Sequence, residues 1–242
     1  MARSTLLLYP GAGSSRDHSS LVRVETTLTA GRGSTVDVQR HDFPYRREGR
    51  KAPDRAPKLM ASIRDDLAAI SRRRGPVVMG GRSMGGRMTT MVAADVDGGG
   101  PVARLAGLIL ICYPLHPPGR PDALRVEHLP AIDVPCLFIS GTNDPFGAPD
   151  ELERWTATIP APVSHLWIER KGHDLKGADG AIALAGQEHG VGRALRFLGR
   201  ILRQRLLHFF HAALDGFELL VVGGDLGIDR GDLLVQFLDV AI

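Results

Sequence analysis

The sequence predicts an α/β fold, a mostly parallel central sheet with helices on both faces, and three observations predict it. Apolar runs of strand length alternate along the chain with amphipathic stretches of helical length. The runs 105–113 (LAGLILICY) and 134–140 are nearly continuous rather than alternating, as strands covered on both faces require. Turn formers, 29 Gly and 16 Pro among 242 residues, punctuate the runs.

Taken in order, Thr5–Tyr9 is a buried strand that enters the Gly-rich turn Pro10-Gly11-Ala12-Gly13. Leu21, Val24 and Leu28 then recur at helical spacing between Arg16 and Thr29, and Thr35–Gln39 is a second strand. The stretch Tyr45–Lys58 is a Pro-punctuated basic loop with six Arg or Lys against two acids. Leu59, Ile63, Leu67 and Ile70 form the stripe of an amphipathic helix. Arg72, Arg73 and Arg74 suit the negative end of its dipole, and Gly75-Pro76 terminates it near Arg74. Val77–Gly80 is a third strand, followed by Gly81-Arg82-Ser83-Met84-Gly85 and a helix to about Asp95. Further strands fall at Leu105–Tyr113, Val134–Ser140 and Val163–Ile168, with helices over Asp150–Thr158 and through Val191, Leu195, Leu198 and Ile201. Residues 1–205 are expected to form one domain. Residues 206–242 form an acidic, apolar C-terminal extension, since 212–242 hold six acids and one base. That extension adds a strand, packs as an appendage, or is a divergent tail without a role.

Composition excludes several classes. Hydrophobic residues at 43% and charged residues at 24% are ordinary for a globular chain and argue against disorder. No apolar run approaches the roughly 20 residues of a membrane span. The Leu6–Tyr9 run is shorter than the about 7–15 residues of a secretory core, so neither a membrane partner nor a leader is expected. A net charge of +3, spread without interleaved aromatics, gives nucleic acid no footprint. Cys112 and Cys136 lie in apolar runs, which points to buried, reduced thiols in a cytoplasmic protein.

The chemistry begins at Ser83. Gly-x-Ser-x-Gly is weak alone in so glycine-rich a chain, but here it follows a strand and opens a helix, the setting of a nucleophile elbow. Side chains flanking such a serine would strike the neighbouring backbone; Gly81 and Gly85 remove them. A serine nucleophile needs a general base and the base needs an orienting carboxylate, in the order Ser, acid, His. Asp144 follows the Cys136–Ser140 strand in Gly141-Thr142-Asn143-Asp144-Pro145, and His173 follows Val163–Ile168 in Lys171-Gly172-His173-Asp174. Both are expected at the sheet edge that carries Ser83. Asp174 diverges from its neighbour His173, and Asp150 is a second candidate acid. The amides of Ala12 and Met84 are the expected oxyanion donors, with Gly13 beside them in the loop that meets the substrate.

The segments LLLYPGAG, GGRSMGGR, LILICYPLHPPG, LFISGTNDPFG and KGHDL resemble the α/β-hydrolase fold. More narrowly, they are similar to the dienelactone-hydrolase-related group that includes the testis-expressed hydrolase-like protein and the regulatory subunit of the nonspecific-lethal complex. The resemblance runs from about Thr5 to Arg203. It implies Ser83 as nucleophile, Asp144 as acid and His173 as base. Pro10 stands where the group usually has His, so the oxyanion loop is braced differently here. The expected molecule is an α/β-hydrolase with a minimal lid and without the usual N-terminal antiparallel strands. It would be a serine hydrolase of small esters or thioesters, without metal or organic cofactor. The alternative is a hydrolase-like protein-interaction module with little or no catalysis.

Four further residues are expected to face substrate. Arg82 and Arg87 flank the serine. Arg87 opposes the dipole of its own helix, so it takes a carboxylate partner or meets an anionic substrate group. Tyr113 and His116 lie in a Pro-rich loop (113–118) that overhangs the site. The basic loop 45–58 is either solvated or steers anions.

Overall fold

The structure, a computed structural model, describes residues 4–29, 36–70, 72 and 75–176. The expected helix through Val191–Ile201 and the expected extension over 206–242 lie outside the described residues. The described elements are β1 (Ser4–Tyr9), α1 (Ser19–Thr29), β2 (Val36–Arg40), α2 (Pro44–Arg47), α3 (Ala56–Ala69), β3 (Val77–Arg82), α4 (Met84–Ala93), β4 (Leu105–Ile111), β5 (Cys136–Gly141), α5 (Pro149–Thr156) and β6 (Val163–Ile168). A single 3₁₀ turn, Leu129–Ala131, precedes β5.

The strands form one six-stranded sheet in the order β2-β1-β3-β4-β5-β6, and every pairing is parallel. Strand residues alternate between the two faces, and two apolar clusters divide accordingly. Leu7, Tyr9, Leu108 and Leu110 pack with Leu59 and Ile63 of α3, Met88 and Val92 of α4, and Leu152 of α5. Leu6, Leu8, Ile109 and Ile111 pack on the other face with Leu21 and Val24 of α1. Both faces of the sheet are therefore covered, which is why β4 is buried along almost its whole length.

Register lines up the strand ends. Tyr9 pairs with Gly81, Arg82 with Ile111, Ile111 with Ile139, and Gly141 with Ile168. The loops after β1, β3, β5 and β6 thus leave from one edge. Strand order reverses at β1, the switch point beside which α/β sheets bind ligands at their carboxyl ends.

Several boundaries differ from those the sequence predicts. The helix expected to stop near Arg74 ends at Ala69; the Ile70 N–H closes a tight turn on the Leu67 carbonyl, which puts Ile70 into the core. The stretch 45–58 is not a plain loop, because Pro44–Arg47 forms a helical turn and α3 begins at Ala56. Its two acids, Glu48 and Asp54, are both engaged by Arg50 and Lys58, while its other four bases make no ion pair among the described residues.

Leu110 is wholly buried under α4. Leu110→Ala is expected to cost about 2–5 kcal/mol of stability, as read from the urea midpoint, because the neighbouring strands are fixed on both sides and close the cavity only in part.

Candidate active site

Ser83 is the only residue between β3 and α4. Its backbone (φ 50, ψ −116) lies in a region that side-chain-bearing residues avoid, at a cost of order 1–3 kcal/mol. Three contacts impose that conformation. The Ser83 N–H donates to the Ile111 carbonyl at 2.8 Å, while its own carbonyl accepts the Arg87 N–H at 3.0 Å. The Tyr9 carbonyl sits so close that a Cβ at either Gly81 or Gly85 would run into it.

The structure brings Ser83, His173 and Asp144 together. His173 Nε2 lies 2.8 Å from Ser83 Oγ, and His173 Nδ1 lies 2.9 and 3.0 Å from the two Asp144 carboxylate oxygens. A carboxylate accepts, so Nδ1 carries the proton and Nε2 is left to accept from the hydroxyl. The Asp144 side chain is 1% exposed and also accepts the Phe146 N–H at 2.9 Å. The loops carrying Asp144 and His173 are stitched together. The Asn143 N–H donates to the Lys171 carbonyl at 2.9 Å, and the Arg170 N–H donates to Thr142 Oγ1 at 2.8 Å.

Phe146, which sequence reasoning missed, stacks on the His173 imidazole with ring centroids 3.9 Å apart. The Gly-Thr-Asn-Asp-Pro-Phe loop held the signal, an aromatic two residues beyond the acid, but only the fold turns it onto the base. Arg82, expected to face substrate, is engaged by the protein. Its Nη2 donates to the His173 carbonyl at 2.8 Å, and its Nη1 would stand 3.0 Å from a Cβ at Gly11. The guanidinium therefore spans the loops after β1 and β6.

The loop after β1 is braced by a residue from α2. Tyr45 Oη donates to the Ala12 carbonyl at 2.8 Å, and Tyr9, Phe43 and Tyr45 stack in sequence behind it. Among the described residues neither the Ala12 nor the Met84 N–H finds a protein acceptor; Met84 opens α4, where the first N–H groups have no helical partner. Gly13 is exposed and has open space around its Cα.

Tyr113 and His116, expected to line the site, are buried among protein partners. The Tyr113 hydroxyl lies 3.2 Å from His128 Nε2 and 3.4 Å from Thr90 Oγ1, and Thr90 Oγ1 is 2.8 Å from the same nitrogen. His116 Nδ1 donates to the Pro117 carbonyl at 2.9 Å, while its Nε2 approaches Glu151 at 3.4 Å. The Pro-rich loop turns these polar atoms inward because the first residues after β4 continue into the core. Of the two partners expected for Arg87, the carboxylate is not found among the described residues.

Cys112 is buried behind the site, its sulfur within 4.8 Å of a ligand atom of both Asp144 and His173. The set does not suit a cation: burial pushes the thiol up to about 12, and the Arg82 guanidinium stands close enough to act on it. Cys136 is likewise buried and free, with its thiol pushed up to about 12 by burial.

A family model for an alpha/beta hydrolase domain matches residues 2–182. Solved structures are similar across most of the chain. One, from work on two metagenome-derived lipolytic enzymes, is 19% identical, with 82% of this chain and 94% of that one covered and a TM-score of 0.59. Est1E of Butyrivibrio proteoclasticus is 13% identical over 78% of this chain and 87% of its own, with a TM-score of 0.60. The RedJ thioesterase of the Streptomyces coelicolor prodiginine pathway is 20% identical over 77% and 91%, with a TM-score of 0.56. At these identities the likeness carries the fold. Among the described residues no helix is long and apolar enough to cross a membrane.

His128 yields a pH test. Burial, and then the nearby Arg87 charge, push its imidazole down to about 4. Above about pH 6.5 it is neutral whether the chain is folded or unfolded. Between about pH 6.5 and 4 only the unfolded chain takes the proton, so stability falls as pH falls, by up to about 3 kcal/mol. Urea titrations at pH 7 and 4.5 are expected to show that loss, and His128→Gln is expected to reduce it.

Proposed function

Because the chain belongs to the alpha/beta hydrolase family, we propose that it is a serine hydrolase of small esters or thioesters. What supports this reading is the unbroken relay from Ser83 Oγ through His173 to the buried Asp144 carboxylate. Ser83 attacks the substrate carbonyl as His173 Nε2 takes its proton; Asp144 holds the ring in the Nδ1–H form and balances the imidazolium. The tetrahedral oxyanion accepts from the N–H groups of Ala12 and Met84, aided by the α4 dipole. The imidazolium then gives its proton to the departing alcohol or thiol, leaving an acyl-Ser83 ester. Water adds to that ester with His173 again accepting the proton, and the acid leaves with Ser83 restored.

Arg82 acts in this scheme as a positioning residue, since it holds the backbone of the base. Phe146 limits the tilt of the imidazole. The GGRSMGGR, LFISGTNDPFG and KGHDL segments support placing the chain with the dienelactone-hydrolase-related group. Two buried free thiols support a reducing, cytoplasmic compartment.

A fluorophosphonate probe is expected to label the native protein, with labelling lost in Ser83→Ala. Asp144→Asn is expected to lower ester turnover by about 10⁴, because the base then sits in the wrong tautomer. Absence of labelling would leave a hydrolase-fold interaction module, and full turnover in either variant would remove the triad mechanism.

A further inference from the structure

We propose that Arg87 and Arg125 together receive a negatively charged substituent on the substrate, so that the enzyme prefers anionic esters or thioesters over neutral ones. The inference rests on Ser83 being the nucleophile and names the substrate class.

Arg87 lies in the first turn of α4, four residues after Ser83, and its N–H donates to the Ser83 carbonyl at 3.0 Å. Its Nε is buried and has no hydrogen-bond partner. Buried donors without acceptors are rare in folded proteins, and each calls for an explanation. Of the other partly buried arginines, two are matched by carboxylates, while Arg23, Arg46 and Arg82 make no ion pair among the described residues. Arg64 is matched to Asp95 and Asp97, and Arg40 to Asp17 and Glu25. Neither Arg87 nor Arg125 makes an ion pair among the described residues.

The segment that carries Arg125 runs beside the first turn of α4: Thr90 Oγ1 donates to the Arg87 carbonyl at 2.7 Å and lies 2.8 Å from Nε2 of His128, three residues after Arg125. Arg125 is half-buried, and its guanidinium is lowered from its usual value first by that burial and then by the Arg87 charge. His128, beside them, is lowered for the same two reasons and stays neutral, so it supplies no counter-charge. Glu127 is the acid nearby; it is exposed, acts on His128, and bridges to neither arginine. Two like charges on partly desolvated ground repel, and an anion set between them turns that repulsion into two attractions. Guanidinium forks suit this task because each can give two parallel N–H donors to one carboxylate or phosphate.

The test compares matched esters. Mono-p-nitrophenyl adipate and its neutral methyl ester place or remove a charge on the acyl side; 3-carboxy-4-nitrophenyl and p-nitrophenyl butyrate do the same on the leaving group. In one of the two pairs the charged member is expected to have the higher kcat/KM by about tenfold or more, the worth of a charge-assisted hydrogen bond, and added salt is expected to shrink the difference. Arg87→Gln and Arg125→Gln are each expected to reduce that ratio at least several-fold, and Arg87→Lys to retain part of it. Arg125→Gln, on a partly exposed segment, keeps the test open should Arg87→Gln fold poorly. Equal rates within both pairs, or a preference that survives both substitutions, would overturn the inference. Fluorophosphonate labelling of the same proteins keeps the two ideas apart. Labelling without anion preference removes this inference alone, whereas no labelling of the wild-type chain removes both the Ser83 nucleophile and the anion preference built on it.

Discussion

The end of β1 lies against the β3–α4 turn with no room between them. The Tyr9 carbonyl occupies the space that side chains at positions 81 and 85 would fill, and a Cβ at Gly86 would come within 2.9 Å of the Gly81 carbonyl. Glycine is the residue that allows this approach, and the approach dictates the layout of the catalytic edge. It forces Ser83 into a strained backbone conformation and starts α4 without an intervening loop. It also brings the Gly11–Gly13 turn alongside the first N–H groups of the helix. A serine hydroxyl, a helix N-terminus and a second set of turn amides share one edge because three backbones pack where they would otherwise be held apart.

The opposite half of the site is assembled differently, by hydrogen bonds between loops. A Cβ at Gly141 would strike the Lys171 carbonyl, so the loops after β5 and β6 meet closely there as well. Asn143 and Thr142, ordinary turn formers by themselves, supply the donor and acceptor that join the two loops. Leu175 anchors the far end of the His173 loop in the core below the sheet. Arg82 then reaches this half through the His173 carbonyl, with its other terminal nitrogen close beside Gly11. The imidazole is consequently held at its backbone by the end of β3, and at its Nδ1 edge and on its flat face by the loop after β5.

Much of this architecture is legible in the sequence, and the reasons are physical. Strands covered on both faces must be apolar along their length, so β4 and β5 announce themselves; α3 shows its stripe because one face packs and the other is solvated. The parallel sheet puts the chain after each strand at one edge, which is what lets Ser83, Asp144 and His173 be considered together despite their separation. Contacts across the fold are another matter. Whether Arg82 points at substrate or at the His173 carbonyl depends on where the loop after β6 passes. Tyr113 and His116 sit in a segment whose Pro content marks a turn but not which way its side chains face. Tyr45 bracing Ala12, and Phe146 stacking on His173, join residues from separate elements and leave no local pattern.

Where a fold departs from its own rules, the departures mark the places that packing alone does not explain. Ser83 carries backbone strain, while Arg82 and Arg87 each bury an Nε without an acceptor, and these three residues lie within five positions of one another. The Arg82 departure has a local account: its Nη2 donates to the His173 carbonyl, and the geometry that serves that bond leaves Nε unused. No such account covers Arg87, which makes no ion pair among the described residues and whose charge acts on Arg125, His128 and Tyr113. A cation placed against its helix dipole and against a like charge is destabilising in the unliganded protein. Such an arrangement becomes favourable when an anion arrives, one helical turn from the hydroxyl proposed to react with it.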